Sequence, residues 1–167
     1  LICSFRDSEK NYWFGSDGIG LLKFLGKALI SYTVKDGLSS NLVMNINQDQ
    51  NGNFLFGTYG EGLTIKNSEG YEYLSNRNGL PNSSVWSTLV DDENNYWIAT
   101  SSGVDCFKDG KNIKQEITNL IDTKIRSIIQ FDSSFAFAGT NGLYYLTNNE
   151  LVHLDGTSDL NVNDLCY

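Results

Sequence analysis

The chain has 167 residues, of which 40% are hydrophobic, 13% aromatic and 19% charged; that apolar content can offset the entropy of ordering, so intrinsic disorder is excluded. Twelve Lys and Arg against twenty Asp and Glu give a net charge of −8, which repels phosphate backbones and anionic lipid and argues against nucleic acid or a membrane surface as partner. The opening Leu1 to Lys10 carries no secretory leader pattern, and no apolar run is long enough to span a bilayer.

Taken in chain order, the first informative segment is NYWFGS, ending at Ser16, with an aromatic anchor at Trp13 and a small residue at Gly15. It returns as NFLFGT ending at Thr58, NYWIAT ending at Thr100 and FAFAGT ending at Thr140, at intervals of 42, 42 and 40 residues. A second marker, DGLSSNLV from Asp36, NGLPNSSV from Asn78, TNLIDTKI from Thr118 and SDLNVNDL from Ser158, recurs at 42, 40 and 40. Two independent anchors with one period define an internal repeat.

Each unit reads as four strands. The first runs from the marker residue to an Asp: Val43 to Asp49, Val85 to Asp91 and Ile125 to Asp132. An Asx-rich turn follows, such as DQNGN or DENN, where Asp, Asn and Gly favour turn bonds and positive φ. The second strand holds the anchor (Trp13, Leu55, Trp97, Phe137) and ends in Gly15, Gly57, Ala99 or Gly139, where a small side chain lets backbones approach. The third starts after Gly20, Gly62, Gly103 or Gly142, and the fourth is short, as in ALISY, YEYL, NIKQEI and ELVHL. Gly20 to Ile30, GLLKFLGKALI, has helix-like amphipathicity when read alone, but its counterparts alternate with period two, so Leu25-Gly26-Lys27 is read as a hairpin loop.

Forty to forty-two residues and four strands per unit are the arithmetic of a β-propeller blade. The expectation is an all-β chain of four consecutive four-stranded blades, with repeat units at about 1–38, 39–80, 81–120 and 121–160 and a further unit starting at 161–167. Large anchors such as Trp13 and Trp97 should be buried between neighbouring sheets, because one four-stranded sheet cannot cover both its faces. The pattern is already under way at Leu1 and still running at Tyr167, which suggests a fragment of a larger propeller.

At Asn78 to Val104 the run N-G-L-P-x-x-x-V-x-x-x-x-x-D-x-x-x-x-x-W-I-x-T-x-x-G-V resembles the two-component-regulator propeller repeat. Leu55, Lys66 and Phe137 depart from that pattern. The resemblance implies a sensor portion of a hybrid two-component system, periplasmic or otherwise extracytoplasmic, within a membrane-anchored receptor. It further implies a non-catalytic, glycan-detecting role, with any kinase activity in other domains and further blades or a second subunit as partners. Alternatives are a propeller enzyme acting on polysaccharide and a protein-interaction scaffold.

The recurring Asp7, Asp49, Asp91 and Asp132 are read as turn formers, because a residue needed once for chemistry is not repeated at structural spacing. DQNGN lacks the acidic positions of a calcium loop, and Asp91-Asp92-Glu93 lies in a turn that points carboxylates to solvent. Cys3, Cys106 and Cys166 read as buried thiols in strands and His153 as a strand histidine. No cofactor, metal site, nucleic-acid partner or membrane contact is expected of this segment.

Function is instead sought where units differ. Met44, Trp86 and Arg126 follow the marker residue in three units, and the loops on that face add Asn41, Tyr59, Glu61, Asn82, Ser83 and Lys124. Aromatic faces, amides and charges of both signs suit a sugar or an acidic oligosaccharide as ligand.

Overall fold

The computed structural model of the chain describes residues 1–113, 123–132, 134–147 and 150–165. It contains four four-stranded antiparallel sheets, each built from strands consecutive in sequence and paired in sequence order. The first is β1 (Cys3–Arg6), β2 (Tyr12–Gly15), β3 (Leu21–Phe24) and β4 (Leu29–Tyr32), and the second is β5 (Val43–Gln48), β6 (Phe54–Thr58), β7 (Leu63–Lys66) and β8 (Tyr71–Leu74). The third is β9 (Val85–Val90), β10 (Tyr96–Thr100), β11 (Gly103–Lys108) and β12 (Lys111–Asn112), and the fourth is β13 (Ile125–Phe131), β14 (Ser134–Gly139), β15 (Gly142–Thr147) and β16 (Glu150–His153). These are propeller blades. Among the described residues the one helical element is a 3₁₀ turn, Val34–Asp36. The amphipathic Gly20 to Ile30 segment is a hairpin, closed by Leu25 N–H donating to Ala28 C=O at 2.9 Å.

The chain forms two compact units, 1–85 and 86–167. In the first, Trp13 is 3% exposed and packs on Phe54 and Phe56 of the neighbouring sheet at ring separations of 4.7 and 5.9 Å, with Leu21, Leu38, Val43 and Ile46 around them. In the second, fully buried Trp97 meets Phe135 and Phe137 at 4.2 and 6.1 Å among Val104, Cys106, Ile125 and Ile128. The anchor is aromatic because it must span the distance between two sheets, which is about 10 Å.

The Asp that ends a first strand holds the following turn. Asp91 Oδ1 accepts from the backbone N–H of Glu93 and Asn95 at 3.0 and 2.8 Å, and its Oδ2 accepts from Asn95 Nδ2 and from Trp97 Nε1, both at 2.9 Å. Asp7 repeats this with Asn11 N–H at 2.7 Å and Trp13 Nε1 at 2.8 Å. Asp49 accepts the turn bonds from Asn51 and Asn53, while Leu55 at the anchor position has no side-chain N–H to offer it. Asp132 does not belong with these three. The last unit's shorter turn places it in the reversal itself, exposed and at φ 50°, between the paired Phe131 and Ser134.

The D/N-G-L marker has an equally local cause. Asp36 Oδ2 accepts from Thr33 N–H at 2.9 Å and Asn78 Oδ1 from Ser75 N–H at 2.6 Å, Gly37 and Gly79 take φ of 110° and 124°, and Leu38 and Leu80 then drop into the core. Gly20 and Gly62, which start third strands, sit at φ 88° and 84°, where a Cβ would lie 2.2 Å from Tyr32 O and 2.0 Å from Leu74 O.

Some expectations need correction. β12 spans Lys111–Asn112, Ile113 of NIKQEI lies beyond it, and residues 114–117 of that segment are outside the described residues. Cys3 is half-buried and its thiol pushed up to about 11 by desolvation; Cys106 is fully buried and Cys166 lies outside the described residues. Asp91 is buried and does not point to solvent, although Asp92 and Glu93 are exposed. Leu165 forms no strand, its N–H bonding Ser127 Oγ at 3.2 Å.

Trp97→Ala leaves a cavity between two sheets and removes one donor from the buried Asp91 carboxylate, so chemical denaturation should show a loss of about 3–5 kcal/mol. Burial opposes ionisation of Asp7 and Asp91, but their indole, amide and backbone donors outweigh it and hold both carboxyls below the ordinary value. A carboxyl lowered in the folded state stabilises above its unfolded pKa, near 3.9, and that stability is lost as pH falls through the folded value. The urea midpoint should therefore drop below about pH 4, and Asp91→Asn should lower it at pH 7 and flatten the acid limb.

Asp105 behaves oppositely: buried on β11 with one oxygen unpaired, its carboxyl is raised by desolvation despite a bond from Asn112. Between the unfolded and raised folded values the folded state holds the extra proton, so ionisation at pH 7 opposes folding. Asp105→Asn should raise the melting temperature at pH 7, with the gain shrinking as pH falls toward 4.

Candidate functional site

The first strands carry the positions that differ between units, and a register irregularity explains why they are free to differ. β5 pairs with β6 with a shift between Val43 and Asn45, and β13 with β14 with a shift between Ile125 and Ser127. Met44 and Arg126 are thus the extra residues of two β-bulges, released from the strict in-and-out alternation that holds Val43 and Ile125 in the core. Both are half-buried.

The anticipated contacts divide between the two units. Asn41, Met44, Tyr59, Glu61 and Asn82 lie in the first, Trp86 and Arg126 in the second. Asn41 works on the scaffold: its carbonyl accepts from Gly18 and Gly20 at 3.1 and 2.9 Å, and its side-chain oxygen from Val34 N–H at 2.9 Å. Asn82 Oδ1 accepts from Ser84 N–H at 2.8 Å, an Asx turn leading into β9. Tyr59 is 51% exposed, with its backbone N–H bonded to Leu42 C=O at 3.1 Å.

Glu61 belongs to a built cleft. Together with Ser39, Tyr73, Asn76, Arg77 and Ser83 it lines an open cavity of about 520 Å³ in the first unit. Its walls are fixed from within: Tyr73 Oη donates to Gly37 C=O at 2.9 Å, and Ser83 Oγ accepts from Asn76 N–H at 3.1 Å while donating to Asn76 Oδ1 at 3.0 Å. Tyr73, Asn76 and Arg77 were not singled out from sequence, because the cleft joins three loops that no single repeat position reveals. A second cavity of similar size in the other unit is lined by Asp91, Asp92, Glu93, Asn95, Gln130 and Asp132 among others. Its Asp91 is committed to the turn and to Trp97. Among the described residues no group of three His, Cys, Asp or Glu side chains is arranged to hold a metal ion.

Trp86 and Arg126 are brought together, and Lys124 joins them. Lys124 Nζ stands 3.5 Å from the Trp86 ring centroid and the Arg126 guanidinium carbon 5.8 Å from it, while Trp86 Nε1 donates to Ser101 Oγ at 2.8 Å and so fixes the ring. Lys124 reaches this place because its carbonyl accepts from Thr140 N–H at 3.0 Å, against Gly139, where a Cβ would lie 2.3 Å from Lys124 O. Burial, with the Arg126 charge second, holds the Lys124 amine below its ordinary value. His153 bonds Asn141 C=O at 2.8 Å and meets Tyr144 edge-on, an ordinary strand environment.

With this geometry established, comparison with known proteins identifies the repeat. Residues 79–102 match the family model described as two component regulator propeller. That stretch is similar to the family's repeat. No curated protein matches the chain. Among solved structures, the extracellular domain of one hybrid two-component system of B. thetaiotaomicron is 21% identical, with a TM-score of 0.71 over 86% of this chain and 21% of that one. A second such domain from the same organism gives 17% identity and a TM-score of 0.76 over 96% of this chain and 24% of that one. Virginiamycin B lyase from Staphylococcus aureus gives 16% and 0.72, over 97% and 58%. The likenesses establish the propeller fold, and the chain spans about a fifth to a quarter of the receptor domains it resembles.

Because burial and the Arg126 charge lower the Lys124 amine, its Cε resonance should titrate below the ordinary lysine value in a carbon-detected NMR titration. Replacing Arg126 by Gln should move that titration upward.

Proposed function

We propose that this chain is a non-catalytic ligand-sensing module of a two-component signalling receptor, lying outside the cytoplasm, and that it binds a glycan-like ligand through its loops. The cleft of the first unit is the observation that carries the ligand class. Its hydroxyls, amide, carboxylate and guanidinium offer both donors and acceptors to a hydroxyl-rich molecule, and the half-exposed Tyr73 ring offers a face to its C–H groups. The fixed walls mean that little ordering entropy opposes binding. The two component regulator propeller repeat at 79–102 and the fold shared with extracellular receptor domains support the sensor role. To signal, the ligand must bind one receptor arrangement more tightly than another.

Tyr73→Ala and Glu61→Gln should each weaken binding of the recognised oligosaccharide at least tenfold in calorimetry against a panel of neutral oligosaccharides, with melting temperatures shifted by a few degrees at most. The fold shared with a lyase makes catalysis the reading to exclude. Turnover of a bound oligosaccharide, lost with one carboxylate while folding persists, would establish the enzyme instead. Absence of affinity across the panel together with a stoichiometric protein partner would establish a scaffold.

A further inference from the structure

We infer that Trp86, Lys124 and Arg126 form an anion site, taking a carboxylate or sulfate group, independent of the cleft in the first unit. Three observations converge on it. Two cations approach one indole ring, at 3.5 Å for Lys124 Nζ and 5.8 Å for the Arg126 guanidinium carbon from its centroid, and the Arg126 charge acts against that of Lys124, a repulsion that a bound anion would relieve. Within the described residues that charge is uncompensated: Arg126 Nη1 donates to the neutral amide oxygen of Asn163, and no described carboxylate pairs with Lys124 or Arg126. Asp164, beside Asn163, accepts from Ser127 Oγ and Leu165 N–H, both at 2.9 Å, and not from the guanidinium. Finally, Arg126 Nε is buried and has no hydrogen-bond partner, so the donors of the guanidinium are not all spent within the protein.

The indole's role is to position rather than to bind. Its ring quadrupole attracts both cations and its N–H is spent on Ser101, so the charges are held in place before any ligand comes. The planar guanidinium can offer two parallel N–H donors to one oxyanion, while the ammonium serves as a point charge beside it.

The test uses the full chain with acetate, sulfate and, as a neutral control, glycerol, each titrated at constant ionic strength set with chloride, with indole emission as readout. Trp13 and Trp97 are buried, so Trp86 is the ring that reports a ligand at the half-buried surface. Saturable emission changes with acetate or sulfate and none with glycerol are expected, and Arg126→Gln and Lys124→Gln should each raise the apparent Kd at least tenfold. Circular dichroism checks folding; should Arg126→Gln misfold, Lys124→Gln, altered outside any strand, decides alone. An emission change that does not saturate, or one that survives Lys124→Gln unaltered, overturns the proposal. Since the probes are free anions, the outcome is separate from whether the first unit's cleft binds an oligosaccharide.

Discussion

In two of the four sheets, packing and turn are joined by a buried hydrogen bond from an indole N–H to a turn carboxylate. A ring large enough to fill the gap between two sheets brings a polar N–H into a dry core, where an unbonded donor costs on the order of 1–3 kcal/mol. Asp7 and Asp91 remove that cost at 2.8 and 2.9 Å. Each aspartate also gathers the N–H groups of the turn that precedes its own Trp, so turn conformation and inter-sheet packing share one side chain. The buried charge is tolerated because every recorded contact to it is a donor, and Lys23 adds a cation at 3.9 Å in the first unit. Across from Trp97 the position of Lys23 is taken by Cys106, and the core there is correspondingly drier.

This coupling explains what could be read from residues alone. Asp, then Asn four residues on, then Trp six residues on is a local pattern, present at Asp7-Asn11-Trp13 and Asp91-Asn95-Trp97 and kept at Asp49-Asn53 where Leu55 replaces the ring. Periodicity and turn chemistry therefore disclose the four sheets and the anchors. Properties set by a partner strand stay hidden: the bulges at Met44 and Arg126 depend on how β6 and β14 pair, and the misplacement of Asp132 depends on a two-residue turn where its counterparts have five. Asp105 was equally invisible, since nothing in GVDCF says that a carboxylate is buried among its apolar neighbours.

The candidate sites were legible to different degrees for the same reason. The residue after the marker stands out because a constant repeat makes variation conspicuous, and the bulge supplies the physical licence for it: a residue without a ladder partner can change without disturbing the core. Trp86 and Arg126 then meet from the first strands of two different sheets of one unit, at equivalent positions of successive repeats. The cleft around Glu61 has no such logic. Tyr73 lies on a fourth strand and Arg77 in the loop beyond it, and only the folded loops bring them to one cavity.

A net charge of −8 would be expected to repel an anionic ligand, yet the paired cations lie in this same acidic chain. At physiological ionic strength the Debye length is about 8 Å, so carboxylates elsewhere on the surface are largely screened while contacts at hydrogen-bond range are not. The long-range field then affects the rate of encounter, chiefly at low salt, and the local geometry governs how long an anion stays. An acidic surface around a small basic site also repels polyanions that need a broad positive face, so selection would favour a ligand whose charge is concentrated in one group.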